Sequence, residues 1–150
     1  MPTLDTVEIL NLLKMRRQHC RNLLDLSRRQ RGLIDASDYS HLLSVLGQKQ
    51  RLLGRLDELN TQHPDLRGQW VRLRTLGDPE WRDDCEHVLA ETEAILADLL
   101  VEEQESTEFL TQRRDDTQQQ LQAVSQGARV HEAYRDSLAP STHRHLDVGQ

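Results

Sequence analysis

The sequence predicts an all-α fold, an elongated antiparallel helical bundle or coiled coil of three main helices with a flexible C-terminal tail. Aromatic residues make up 3% of the 150 residues, and glycine and proline number only 7 and 4. Straight-chain residues that favour helices dominate instead of residues that favour strands. Apolar residues also recur at intervals of three and four. We expect the bundle over residues 1–126 and the tail over 127–150.

The first helix is expected over about residues 5–35. The stretch DTVE begins it, because Asp5 can accept a hydrogen bond as the N-cap and Glu8 can return one three positions later. An apolar stripe at helical spacing follows. Its members are Leu10, Leu13, Cys20, Leu24 and Ile34, interrupted by Arg17, Ser27 and Arg31.

The second helix is expected over about residues 38–60. The stretch IDASDYS predicts a turn, with Asp35 or Ser37 as the N-cap and Asp38 in the first helical turn. Lys49 stands where the apolar stripe would continue, and we interpret it as laying its methylenes on the stripe while its ammonium reaches solvent. The apolar members of this stripe are Leu42, Val45, Leu52, Leu56 and Leu59.

A short packed segment is expected at 64–76, with Trp70 as its core anchor, and the third helix at 79–126. Asp78 as N-cap and Pro79 at the first helical position give the clearest start signal in the chain. Gly127 is expected to end this helix, which would then be on the order of 70 Å long. Beyond Glu102 its apolar residues become sparse, so this half should need a partner.

The tail after Gly127 has little apolar content. Such a segment gains too little from burial to offset the entropy lost on ordering. Its few apolar groups, Tyr134 among them, suit either a short docking motif or a disordered end, and the sequence leaves both open.

Charge and composition exclude several classes of function. The net charge of -6 argues against nucleic-acid binding, which depends on clustered Lys and Arg. No apolar stretch approaches the roughly 20 residues of a membrane span, so no membrane insertion is expected. The first 20 residues lack the pattern of a secretory signal, which predicts a cytoplasmic protein. Cys20 and Cys85 are far apart and unpaired by motif, so we expect reduced thiols with a packing role.

No motif predicts an enzyme or a cofactor. The sequence contains neither a nucleophile elbow nor a glycine-rich phosphate loop. Helical bundles that hold two irons use Glu-x-x-His motifs, and none occurs here. The nearest variant joins Asp38 to His41, and His143 and His145 form an exposed pair in the tail. We therefore expect no metal site, with a metal-binding or catalytic bundle as a remaining alternative.

The run LLDLSRRQRGLIDASDYSHLLSVLGQKQRLLGRLDEL resembles the signature region of the FlgN-like flagellar export chaperones. The matching positions are Asp38, Leu42, Lys49, Leu52 and Leu53, and the likeness extends to WVRLRTL, the long third helix and AYRDS. The resemblance implies a cytosolic chaperone of flagellar type III secretion. Its partners would be hook-associated flagellar proteins, and the export gate or export ATPase complex. The family's docking tyrosine follows the long helix, which by position is Tyr134.

The residues and the resemblance point to the same surface. Four apolar side chains in the sparse half of the third helix can accept an amphipathic helix of a client: Phe109, Leu110, Leu121 and Val124. The same stripe could instead pair with a second copy, giving a homodimer. A structural, self-associating coiled coil without export clients is therefore the alternative, and the sequence does not separate the two.

Overall fold

The fold is described from a computed structural model, in which residues 4–138 are described. This part of the chain holds four α-helices and no strand: α1 Thr6–Asp35, α2 Tyr39–Gln62, α3 Leu66–Leu73 and α4 Pro79–Leu138. The prediction of an all-α protein is confirmed. None of the helices in the described part is long and apolar enough to cross a membrane.

The N-terminus of α1 has the predicted capping box. The backbone N–H of Glu8 donates to the carboxylate of Asp5 at 2.8 Å, and the N–H of Asp5 donates to the carboxylate of Glu8 at 3.0 Å. Two backbone donors that have no partner within the helix are thereby satisfied. The cap fixes where α1 begins.

The corner between α1 and α2 differs from the prediction. Ser37 adopts the left-handed conformation with φ 57°, and the N–H of Asp38 donates to the carbonyl of Leu33 at 2.9 Å, which is a Schellman end for α1. Asp38 is the N-cap of α2 and accepts from the N–H of His41 at 3.3 Å. The predicted caps Asp35 and Ser37 are wrong, because the first still belongs to α1 and the second makes the turn.

The chain divides into two compact units, which we call the N-terminal unit (Met1–Glu108) and the C-terminal unit (Phe109–Gln150). Within the N-terminal unit, α2 returns antiparallel to α1 after the corner. The segment 79–108 of α4 runs parallel to α1, because the contacts between them advance together along both helices. Arg17 contacts Glu91, and Ser27 contacts Glu103.

Two apolar clusters form the core of the N-terminal unit. The first lies where the start of α1, α3 and the start of α4 meet: Ile9, Leu13, Trp70, Cys85 and Val88. The second lies between α1 and α2, with Leu99 of α4 packed against it: Leu23, Leu26, Val45 and Leu52. Trp70 is buried, as a core anchor should be. Its ring centroid lies 5.5 Å from that of Trp81, whose indole N–H donates to the carbonyl of Thr6 at 2.7 Å.

Both cysteines are buried free thiols. Burial raises the pKa of Cys20, and burial together with the charge of Asp84 raises the pKa of Cys85 to about 11. A thiol is nucleophilic only as the thiolate, so these side chains act as small apolar groups in the core.

Gly127 does not end α4, which continues to Leu138. A single glycine inside a helix is destabilising by only roughly 0.5–1 kcal/mol relative to alanine, and the next proline in the sequence is Pro140. The boundary between the compact units precedes Phe109, whereas the predicted bundle extended to residue 126. Residues 127–138 of the predicted tail are helical, and 139–150 lie outside the described residues.

Candidate functional site

The predicted client-binding residues all lie exposed on α4 within the C-terminal unit. Phe109, Leu110, Leu121 and Val124 are between 36% and 70% exposed. No side chain is buried among residues 109–136 of this unit, the part whose burial is described. A helix of this kind has apolar groups that only another molecule or another segment could cover.

Three of these residues share one narrow face of the helix. At about 100° per residue, Leu110, Leu121 and Val124 fall within an arc of about 60°, and Phe109 lies about 60° beyond Val124. With a rise of 1.5 Å per residue, the stripe from Leu110 to Val124 is about 21 Å long. We call Phe109, Leu110, Leu121 and Val124 the α4 stripe. Its length matches about four turns of a partner helix.

Charged side chains lie between the two halves of the α4 stripe. The guanidinium carbon of Arg113 lies 5.2 Å from the ring centroid of Phe109, a cation–π arrangement. The next residue, Arg114, forms an ion pair with Asp115, with 3.6 Å between the guanidinium nitrogen and the carboxylate oxygen. At about 100° per residue, Arg113 and Arg114 lie on or beside the face of the stripe, between Leu110 and Leu121 along the axis. The stripe therefore consists of two apolar pairs with basic residues between them.

Tyr134, the predicted docking residue, lies on the same helix as the α4 stripe. It is 64% exposed and ten residues beyond Val124, which is about 15 Å along the axis. Its face is within about 20° of that of Phe109. The predicted separation into a binding helix and a flexible tail with the tyrosine therefore does not hold for this residue, because α4 includes it.

The structure also joins four polar residues that the sequence analysis did not connect. The Ser27 hydroxyl donates to the Glu103 carboxylate at 2.6 Å, and Lys49 Nζ donates to Gln30 Oε1 at 2.6 Å and to the same carboxylate. We call Ser27, Gln30, Lys49 and Glu103 the polar layer. It links α1, α2 and α4 inside the N-terminal unit.

The interpretation of Lys49 as reaching solvent is wrong. Its side chain is only 12% exposed, and its ammonium is held by partners on both neighbouring helices. Ser27 and Gln30 are buried as well. The signal in the sequence was the coincidence of polar residues at core-facing positions in successive helices, and Ser27 and Lys49 had each been noted separately.

The polar layer holds the pKa of Glu103 below its ordinary value. Burial raises this pKa, but hydrogen bonds from Lys49 and Ser27 and the charge of Lys49 together outweigh burial. The carboxylate therefore stays ionised at neutral pH and accepts both donors.

The lowered pKa predicts acid-sensitive stability. A folded-state pKa below the ordinary 4.5 adds stability above that pH, and the gain is lost as the pH falls through the folded-state value. Glu103→Gln should therefore be less stable than the parent at about pH 6, and the difference should shrink by about pH 3.5. Urea denaturation at both values measures this, with Glu93→Gln on the exposed face of α4 as control. If the difference in stability between Glu103→Gln and the parent were the same at both pH values, the predicted acid sensitivity would be contradicted.

Ion pairs between α1 and α4 flank the polar layer. Arg17 and Arg21 both contact Glu91, and Arg31 contacts Glu102 and Glu105. Ion pairs that solvent reaches contribute little stability, but these pairs favour one alignment of the two helices. No group of three or more His, Cys, Asp or Glu side chains that could hold a metal occurs among the described residues.

Comparison of the chain with protein-family models, with curated proteins and with solved structures finds no match. Function is therefore inferred from the chemistry of the protein's surfaces. The polar layer joins helices within the N-terminal unit, with its hydrogen bonds made inside the protein. The α4 stripe presents apolar groups outward, which suits binding of another polypeptide.

Proposed function

We propose that the protein is a cytosolic flagellar type III secretion chaperone. It binds the amphipathic helical segment of hook-associated proteins, which form the junction between hook and filament, and hands them to the export apparatus. The observation that carries the proposal is the α4 stripe, four exposed apolar side chains on a helix with no buried side chain among residues 109–136. The likeness of residues 23–59 to the FlgN-like chaperones supports the choice of client.

The geometry of the α4 stripe suits a helical client. An amphipathic helix repeats apolar residues at positions i, i+3, i+4 and i+7. Such a helix can contact Phe109 and Leu110 at one end of the stripe and Leu121 and Val124 at the other, over a length of about 21 Å. Full burial of one leucine or valine is favourable by about 1.5–3 kcal/mol, less the entropy lost on association. Leu121 and Val124, the most exposed members, gain most from being covered.

Tyr134 is proposed to dock on the export gate or export ATPase complex. Its position about 15 Å beyond Val124 leaves it outside the contact made by the client helix. A tyrosine supplies apolar area and a hydroxyl at small entropic cost, which suits an interface anchor. Client binding and docking would then use different parts of one helix.

The test measures binding of the full chain to a purified hook-associated protein from the same organism by titration calorimetry. Leu121→Gln combined with Val124→Gln should weaken binding at least about a hundredfold, because two buried contacts are lost. The matched control combines Leu76→Gln with Val71→Gln, which removes one exposed leucine and one exposed valine from the other unit. Circular dichroism should show unchanged helicity in both variants, because all four side chains are exposed.

Three outcomes test the client site, the chaperone function and the role of Tyr134 separately. Equal binding by the stripe variant and its control would contradict the client site. Absence of any binding by the parent protein would contradict the chaperone function itself. Tyr134→Ala should keep client affinity while reducing export of the client in cells, and loss of affinity in this variant would assign Tyr134 to the client site instead.

A further inference from the structure

α2 carries a second row of residues, four of them apolar, on a partly exposed side of the helix. Its members recur at alternating intervals of four and three, the spacing of a coiled-coil seam. Four are between 40% and 70% exposed, so the described residues cover them only in part. The row, which we call the α2 seam, consists of Tyr39, Leu43, Leu46, Gln50, Leu53 and, at its end, Asp57.

The α2 seam is distinct from the buried stripe of the same helix. Leu42, Val45 and Leu52 belong to the buried side, and the seam lies one residue later at each step. One residue turns the helix by about 100°, so the seam lies to one side of the buried face. The internal fold therefore does not explain why positions 39, 43, 46 and 53 are apolar.

Two glycines lie beside the α2 seam, and no contact within the chain requires glycine at either position. Gly47 and Gly54 are seven residues apart, and Ser40 precedes Gly47 by seven. A Cβ at Gly54 would meet nothing within 4 Å, and one at Gly47 would meet only the tip of Arg51 at 4.0 Å. Neither glycine has a positive φ. Glycine destabilises a helix relative to alanine, so close approach by another backbone is the remaining explanation.

We propose that the α2 seam is the interface of a homodimer, in which α2 packs antiparallel against α2 of a second copy. In one register of this arrangement every seam position finds a partner in the other row. Leu43 faces Leu53 of the second copy, and Leu46 faces Gln50. The small residues also meet, with Gly47 opposite Gly47 and Ser40 opposite Gly54. A two-fold axis makes each of these contacts occur twice.

The distribution of charge on α2 favours a second copy as the partner and an antiparallel orientation. From Tyr39 to Gly54 neither the seam nor the small-residue row contains a charge, in a chain with 29% charged residues. Depletion of charge is typical of the centre of an interface. A parallel pair would place Asp57 against Asp57. The antiparallel pair places Asp57 beside the hydroxyl of Tyr39 and the positive N-terminal end of α2 of the second copy.

Gly47→Glu tests the interface without endangering the fold. The parent should sediment with twice the mass of 17.4 kDa that one chain has. In the variant, two glutamates would meet at the two-fold axis, and association should weaken at least about tenfold. The melting temperature of the monomeric variant should equal or exceed that of the parent's monomer, because the site is open and glutamate favours helices. Gly32→Glu, at an open glycine on α1, is the control and should remain dimeric.

Cysteine cross-linking tests the orientation. When the Leu43→Cys and Leu53→Cys proteins are mixed and oxidised, disulfide-linked pairs should form between the two variants, with few between identical ones. Antiparallel packing brings position 43 near position 53 and separates two copies of position 43. Cys20 and Cys85 are buried and should not interfere. Linked pairs of identical variants would instead indicate a parallel interface and overturn the antiparallel register.

A parent protein with the mass of one chain at every concentration would overturn the proposal. So would a dimer unaffected by Gly47→Glu, since the interface would then lie elsewhere. The test is independent of the proposed chaperone function, because the α4 stripe is on another helix and in the other compact unit. Client binding is measured separately and can fail or succeed whatever the mass.

Discussion

Replacing Ile9 by alanine is expected to lower the free energy of unfolding of the N-terminal unit by about 2–5 kcal/mol. Ile9 is completely buried in the cluster that joins the starts of α1 and α4 with α3. The substitution removes apolar contacts and leaves a cavity beside Trp70 and Val88.

Urea denaturation followed by circular dichroism and by tryptophan emission measures this loss. Val7→Ala is the matched control, because Val7 is another β-branched residue of the same turn but is 64% exposed. Its free energy of unfolding should change by no more than about 0.5 kcal/mol. Equal losses in the two variants would show that this cluster does not determine the stability of the unit.

Lys49→Met is expected to lower the free energy of unfolding by about 1–3 kcal/mol, the range for leaving a buried polar group without its partner. Methionine keeps the length and apolar stem of the lysine but removes the ammonium. Gln30, which is buried, and Glu103 both lose the donor that they share. The free energy of unfolding should fall more than it does when an exposed charged residue of the same helix is replaced.

Arg55→Met supplies that comparison, because Arg55 lies exposed on α2. The coupling can be measured by repeating Lys49→Met in a Glu103→Gln protein. Lys49→Met should then lower the free energy of unfolding by less, because the ionised acceptor of the lysine has been removed. A Lys49→Met protein as stable as the parent would mean that water replaces the ammonium without loss.

Local signals in the sequence predicted where helices begin, because caps depend on residues a few positions apart. Asp5 with Glu8, and Pro79 after Asp78, are in this class. The cap at Asp38 was missed because Ser37 takes a left-handed conformation, which is uncommon for a residue other than glycine, asparagine or aspartate. The end of α4 was misplaced because helix formers around Gly127 outweigh one glycine.

Contacts between distant residues were harder to anticipate. Lys49 and Glu103 are separated by 54 positions, and only the alignment of three helices brings them together. The α4 stripe was predicted from apolar spacing alone, and its four residues are exposed as such a site requires. The client could not be predicted from the stripe, because client recognition depends on a second sequence that this chain does not contain.

The position of the tryptophans determines what fluorescence can report. Trp70 and Trp81, the chain's two indoles, pack against each other in the first cluster, and Trp81 is tied to α1 through Thr6. Their emission therefore reads the packing of that one end of the N-terminal unit. Residues 109–138 contribute helical ellipticity but no indole signal. Melting of that segment would appear in circular dichroism alone, so a difference between the two optical transitions would reveal it without any label.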